Sequence, residues 1–139
     1  HRELGPRAAE ASNLAGLGGV ALRRGELAKA RPLYEESLAI RREVGDLWGT
    51  ALSLLGLGAT VARQGDPASG RALLEESLRL HKQVGYRSGV VETLRAFASL
   101  ARSLERYETT ARLWGAAEAL GEALGATIAP HQRAERDVE

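Results

Sequence analysis

Residues 31–45 read RPLYEESLAIRREVG, and residues 71–85, forty positions later, read RALLEESLRLHKQVG. A further shift of forty gives ARLWGAAEALGEALG at residues 111–125. The register holds throughout, because Gly45, Gly85 and Gly125 fall at the same position of each copy. A fixed period of this length is typical of proteins built from stacked units, each of which packs against its neighbours. The sequence therefore predicts three similar units in series.

Each unit has the pattern of two helices joined by a short turn. In the first unit Leu14 and Leu17 follow helical spacing, and Gly25 ends the helix because glycine accepts the left-handed backbone of a helix terminus. In the second unit Asp66 precedes Pro67, which is a strong signal for a helix start. We predict an all-α fold in one domain, an α-solenoid of three antiparallel helix pairs with a partial C-terminal helix. Its bounds are 1–139 for the domain, about 7–46, 47–86 and 87–126 for the repeats, and 130–139 for the cap.

The turn of the third unit differs from the other two. Glu105 stands where Gly25 and Gly65 stand. We expect helices over 87–103 and 107–124, joined near Glu105–Arg106 by a tighter or less regular turn.

Glycines also lie inside the first helix of the first two units, at positions 16, 18, 19, 56 and 58. Each costs roughly 0.5–1 kcal/mol relative to alanine in a helix. We expect the compensation to be a close approach of helix backbones, with small residues on the facing helix. These small residues are Ala30, Ser37, Gly70 and Ser77.

Composition excludes several function classes. The net charge of +1 is too small to predict a nucleic-acid partner, and the chain has no cysteine for disulfides or thiolate metal sites. The three histidines are dispersed, without metal-ligand spacing, and no apolar run approaches the roughly 20 residues of a membrane span. We expect no metal, no cofactor and no membrane contact, and a cytoplasmic location. Because the sequence opens at His1 without methionine, we expect it to be part of a larger protein.

Two motifs suggest catalysis, and both have better structural explanations. Glu35 and Glu36 are adjacent carboxylates, but neighbouring helix residues point about 100° apart, and Arg31 lies four residues earlier, where it can pair with Glu35. The GLGG of residues 16–19 lacks the Gly-Lys-Ser/Thr ending of a phosphate-binding loop and does not follow a strand. We predict no catalytic residues and therefore no enzyme.

The repeat resembles the tetratricopeptide repeat in its longer form of about forty residues. The residues that carry the resemblance are Leu14, Leu17 and Gly18 in the first helix and Ala30, Tyr34 and Ser37 in the second, each with counterparts further along the chain. Leucine replaces the family's usual tryptophan at Leu14, and the usual closing proline is absent. The resemblance implies a right-handed stack whose first helices line a concave groove for a protein or peptide segment.

The family's ligand stripe can be placed on this sequence by register. Its middle is small or apolar and its edge is basic, which predicts a groove for an apolar helix or peptide with an acidic group. The candidate groove residues are Leu22, Arg23, Leu52, Leu55, Arg63, Arg95, Ser99 and Arg102. The lysine and asparagine pattern that clamps a peptide carboxylate in some members is missing, since Ala15, Gly19 and Ala59 occupy its places. The alternative, that the stripe only packs or contacts solvent, stays open.

The segment LWGAAEAL at residues 113–120, followed by Gly125 and Pro130, is similar to the C-terminal repeat region of large bacterial regulators. In those proteins an NTPase module is coupled to a LuxR-type or related DNA-binding domain, or to a cyclase domain. The resemblance implies the sensing or scaffolding arm of a signalling or transcriptional regulator. Two alternatives stay open: an arm that binds a small-molecule inducer, and a purely structural oligomerisation scaffold.

The last helix of a stack leaves one apolar row uncovered. Here that row is predicted to include Leu113, Trp114, Leu120 and Leu124, and residues 130–139 are too few to cover it firmly. Uncovered rows of several large side chains mark interaction surfaces. We predict self-association through the C-terminal helix pair, or docking of a neighbouring domain there.

Overall fold

The computed structural model of the protein describes residues 4–123. Five helices follow one another in this range: α1 (Leu4–Arg23), α2 (Leu27–Val44), α3 (Leu47–Arg63), α4 (Pro67–Val84) and α5 (Arg87–Ala123). No strand occurs among residues 4–123, so the predicted all-α class is confirmed. The predicted cap at 130–139 lies outside the described residues. The chain forms two compact units, His1–Arg102 and Ser103–Glu139.

In the first unit, α1 with α2 and α3 with α4 form two successive helical hairpins. Each of the helices α1 to α4 is followed by a glycine with a positive φ, between 72° and 98°: Gly25, Gly45, Gly65 and Gly85. The predicted start of α4 is confirmed, because the Asp66 carboxylate accepts a hydrogen bond from Ser69 N at 3.2 Å. Asp46 caps α3 in the same way, accepting from Gly49 N at 2.9 Å.

The core of the first unit lies along α2 and α3. Helix α2 contacts both α1 and α3, and α3 also contacts α4, so a middle helix is covered on two sides. Leu54 is completely buried on α3, and Leu74 on α4 is 1% exposed. A helix covered on two sides in this way buries side chains on two of its faces.

The predicted turn near Glu105–Arg106 is wrong, because α5 continues without interruption from Arg87 to Ala123. Between residues 98 and 106 the sequence ASLARSLER contains neither glycine nor proline. Leucine, glutamate and arginine all favour helix, and without glycine a left-handed residue there would carry a steric cost. The hairpin plan therefore holds for the first two repeats, and the third predicted pair is one long helix.

Candidate functional site

Tyr34 sets the spacing between α1, α2 and α3. Its side chain is 7% exposed, and burial raises the pKa of its hydroxyl. A Cβ atom added to Gly18 would come within 3.1 Å of the ring, and one added to Gly56 would overlap it. Two of the helix glycines therefore make room for an aromatic ring, and not for a neighbouring backbone as predicted.

Gly58 and Gly70 do show the predicted backbone approach. A Cβ atom on Gly70 would lie 2.9 Å from Gly58 O and 2.7 Å from the Ala62 Cβ. Both glycines therefore allow α3 and α4 to pack closely. Gly16 differs from them, since nothing lies within 4 Å of where its Cβ would be.

A buried polar cluster joins the first hairpin to α3. Ser37 donates to Ala11 O at 2.8 Å, so its hydroxyl accepts from Ser53, 3.0 Å away. Arg41 Nη1 in turn donates to Ser53 Oγ at 3.0 Å and to Gly49 O at 3.1 Å. The cluster thus links α2 to both neighbouring helices through hydrogen bonds, which buried polar groups require.

Arg41 carries its charge into this interior. Its side chain is 5% exposed, and burial lowers the pKa of the guanidinium, while nearby Asp46 has the opposite effect. A further hydrogen bond of 3.2 Å reaches Ser12 Oγ on α1. The extended side chain lies against Gly49, where a Cβ atom would come within 2.6 Å of Arg41 Nε. Arg41 therefore holds α2 to both α1 and α3, which is a structural role.

The same cluster recurs forty residues later with histidine in place of arginine. Ser77 donates to Ala51 O at 2.7 Å, and Thr93 donates to Gly89 O at 2.6 Å. Both hydroxyl protons are thereby used, so His81 Nδ1, at 3.2 and 3.3 Å, must be the donor to these oxygens. His81 Nε2 is buried and has no hydrogen-bond partner. The imidazole packs against Gly89.

Burial lowers the pKa of His81, and a hydrogen bond to the Ser77 backbone and the charge of Glu92 offset this in part. The unfolded chain therefore binds a proton at a higher pH than the folded one. We expect full stability above about pH 6.5, and a loss as the pH falls below that value towards the folded-state pKa. Thermal unfolding between pH 7.5 and 5.0 checks this. His81→Gln should flatten the dependence in this window, and an unchanged slope would contradict the assignment.

The candidate groove residues divide into half-buried apolar and exposed polar side chains. Leu22, Leu52 and Leu55 are half-buried, whereas the others are exposed: Arg23, Arg63, Arg95, Ser99 and Arg102. One hydrogen bond joins two of the candidates, from Arg63 Nη1 on α3 to Leu22 O on α1, at 3.2 Å. Leu22 also packs against the hydrophobic core. Arg63 and Leu22 are thus brought together where α1 and α3 adjoin.

The surface arginines near the carboxylate pairs behave largely as predicted. Arg31 Nε lies 3.6 Å from the Glu35 carboxylate, which supports the structural interpretation of Glu35. Arg42 pairs with Glu76 at 2.9 Å across α2 and α4. Such exposed pairs contribute at most about 1 kcal/mol each. These carboxylates therefore have ordinary surface roles.

The self-association candidates lie in the second unit. Leu113 is 66% exposed and Trp114 is half-buried. The Leu120 side chain and Leu124 lie outside the described residues.

Within residues 4–123 no cluster of histidine and acidic side chains has the arrangement of a metal site. None of the helices described is long and apolar enough to cross a membrane.

Comparison with known families agrees with this geometry for the first part of the chain. The family model described as "Tetratricopeptide repeat" matches residues 7–69. This part of the chain is therefore similar to tetratricopeptide repeats. The match spans α2 and α3 completely, most of α1 and the first residues of α4. No curated protein and no solved structure matches the chain significantly. Tetratricopeptide repeats generally mediate protein–protein interaction and are typically non-enzymatic scaffolds.

The buried clusters around Arg41 and His81 were not predicted from the sequence. The signal was present, because both residues follow a serine by four positions in the same repeat register. This spacing alone does not show that either residue is buried, because both lie among charged residues typical of an exposed helix face. The packing of the helices shows their burial.

Proposed function

We propose that the protein is a protein- or peptide-binding module whose ligand lies along the stripe of α1, α3 and the start of α5. The supporting observation is that the leucines assigned to this stripe, Leu22, Leu52 and Leu55, are half-buried, whereas its arginines are exposed. Arg23, Arg63, Arg95 and Arg102 form no ion pair with any carboxylate in the described part of the chain. Their charges are therefore not neutralised by these carboxylates, although Arg63 Nη1 also donates to Leu22 O.

The chemistry of the stripe selects the class of ligand. Apolar side chains placed over Leu52 and Leu55 would release water from half-buried leucines. A carboxylate near Arg63 or Arg95 would gain charge-assisted hydrogen bonds, which guanidinium groups make in a fixed, two-pronged geometry. The stripe contains no aromatic residue on which a sugar ring would stack. A peptide or helix with apolar and acidic residues therefore fits better than a small-molecule inducer.

The stripe is tested with peptides selected from a random display library on the intact protein. We expect the selected sequences to combine leucine-like and acidic residues. Leu55→Glu should weaken their binding at least about tenfold, because a carboxylate is placed among the apolar contacts and repels the ligand's acid. Arg95→Ala should weaken it by a smaller factor and reduce its dependence on salt. Fluorescence anisotropy titrations measure both.

Lys82→Ala is the matched control, since Lys82 is an exposed cation on α4, outside the stripe. Each variant should unfold within about 0.5 kcal/mol of the parent, as expected for substitutions outside the core. Equal losses from Lys82→Ala and Arg95→Ala would reject the stripe as the binding surface.

The larger setting of this module is proposed from the resemblance of residues 113–120 to the repeat regions of bacterial regulators. In this setting the repeats are the sensing or scaffolding arm of a cytoplasmic signalling or transcriptional regulator. The gene upstream of these residues should then encode a phosphate-binding Gly-x4-Gly-Lys-Ser/Thr motif. Sequencing of the complete gene decides this, and a gene without an NTPase module would overturn the setting while leaving the binding module intact.

Self-association is a second candidate function, favoured by the 66% exposure of Leu113. If the apolar row of residues 107–124 mediates it, light scattering on a dilution series should show a mass that rises with concentration. Trp114→Arg should abolish the rise, because it puts a charge into the apolar contact. A monomer at all concentrations would reject this function.

A further inference from the structure

The outer face of α1 is apolar and uncovered. Leu17 is 57% exposed and Val20 is 40% exposed, one turn apart on the same side of the helix. Between them and Asn13 lies Gly16, which has open space where a side chain would be. A glycine in a helix costs stability, and nothing in the packing of the first unit compensates for Gly16. The face therefore has the features of an interface without its partner.

The repeat itself shows what covers this face. Forty residues later, the equivalent positions on α3 are all buried, beneath α2: Ser53, Gly56, Leu57 and Thr60. The ring of Tyr34 fills the space at Gly56. Leu57 and Thr60, the counterparts of Leu17 and Val20, are 6% and 0% exposed.

The third copy of this face is buried at its two ends, and its middle positions, Ala96 and Phe97, are half-buried. Thr93 on α5, the counterpart of Asn13 and Ser53, is 0% exposed and lies 3.3 Å from His81 Nδ1 on α4. Leu100, the counterpart of Val20, is 7% exposed. The second helix of one repeat thus covers this face of the next in both observed cases. Among the described residues, no second helix covers the α1 copy.

We propose that the outer face of α1 (Asn13, Gly16, Leu17 and Val20) docks one amphipathic helix with the residue pattern of α2 and α4. The pattern is a large side chain, a serine three residues later and a hydrogen-bond donor four residues after that. In α2 these are Tyr34, Ser37 and Arg41, and in α4 they are Leu74, Ser77 and His81.

Each element of the pattern has a receiving group on α1. The large side chain enters the space at Gly16, as Tyr34 does at Gly56. The serine and the donor meet the Asn13 carboxamide, which replaces Ser53 and Thr93 in this register and can both donate and accept. Leu17 and Val20 supply the apolar contact.

A second copy of the chain is a poorer occupant. Its residues 107–123 carry Trp114 at the position of Tyr34, but Ala117 stands at the serine position and Gly121 at the donor position. This segment therefore offers the ring without either hydrogen-bonding group. The occupant we infer is a partner segment that has all three.

The probe is a labelled peptide with the α2 sequence, residues 26–46. A lactam between Glu35 and a lysine at position 31 (Arg31→Lys) keeps it helical, and both positions are exposed in α2. Circular dichroism first verifies the helix. Added to the intact protein, the peptide should bind with a Kd on the order of 100 μM or tighter, and Tyr34→Ala in the peptide should weaken binding at least about tenfold.

Protein variants identify the surface. Leu17→Glu and Gly16→Leu should each weaken peptide binding at least about tenfold, the first by charge and the second by filling the space for the ring. Leu47→Glu is the matched control, because Leu47 is a 45% exposed leucine at the start of α3, outside this face. Leu55→Glu should leave this binding unchanged, which separates this surface from the proposed ligand stripe.

The proposal would be overturned if the helical peptide did not bind at about 1 mM, a concentration well above the expected Kd. It would also be overturned if the peptide bound the Leu17→Glu variant as tightly as the parent protein, or if the Tyr34→Ala peptide bound as tightly as the parent peptide. Self-association that is abolished by Leu17→Glu and by Trp114→Arg alike would also overturn it, since the occupant would then be a second copy.

Discussion

Replacing Leu57 with alanine is expected to lower the free energy of unfolding by about 2–5 kcal/mol, the range for truncation of a buried leucine. Leu57 is 6% exposed and belongs to the core cluster that also contains Tyr34 and Leu38 of α2. Alanine would leave a cavity where α2 and α3 meet. Because each repeat is stabilised chiefly by its neighbours, the loss should affect the whole first unit. Urea unfolding followed by circular dichroism measures it.

Leu17→Ala is the internal control for this result. Leu17 has the same register forty residues earlier but is 57% exposed, so its truncation should change stability by only about 0.5 kcal/mol. Similar losses of unfolding free energy for Leu57→Ala and Leu17→Ala would contradict the burial of Leu57 and the exposure of Leu17.

The second large effect concerns two glycines in the same register. Gly56→Ala is expected to destabilise the protein by about 1–3 kcal/mol, because the new methyl group overlaps the Tyr34 ring, which is itself held between α1 and α3. Gly16→Ala should instead stabilise it by about 0.5–1 kcal/mol, since alanine favours helix and meets nothing within 4 Å. Thermal and urea unfolding of the two variants are compared directly.

The two substitutions are expected to change the free energy of unfolding in opposite directions, and this difference is the test. If both substitutions stabilised the protein, the Tyr34 ring would have to move away from Gly56 at little cost. If both destabilised it, the outer face of α1 would already be covered in solution, and unfolding of the Leu17→Glu variant would then show a similar loss.

The helices of the first two repeats could be predicted well because their signals are local. Glycines at positions 25, 45, 65 and 85 take positive φ as expected, and Asp66 caps α4. A positive φ and an N-cap depend on a few neighbouring residues, which a single sequence displays. The turn predicted at Glu105 is wrong because it was inferred from the repeat register, whereas the residues themselves favour the continuous helix that is observed.

The sequence by itself determined the period of forty residues, the helical class and the place of the turns in the first two repeats, because these depend on residue spacing and on the backbone preferences of glycine, proline and aspartate. Only the tertiary structure decided why each glycine is present and which copy of a repeated face is covered. Leu17 and Leu57 are identical in type and register, yet one is exposed and the other buried. Arg41 and His81 likewise look like surface residues and are buried. Burial depends on which helix lies opposite, and a repeated sequence cannot record that difference between its ends and its middle.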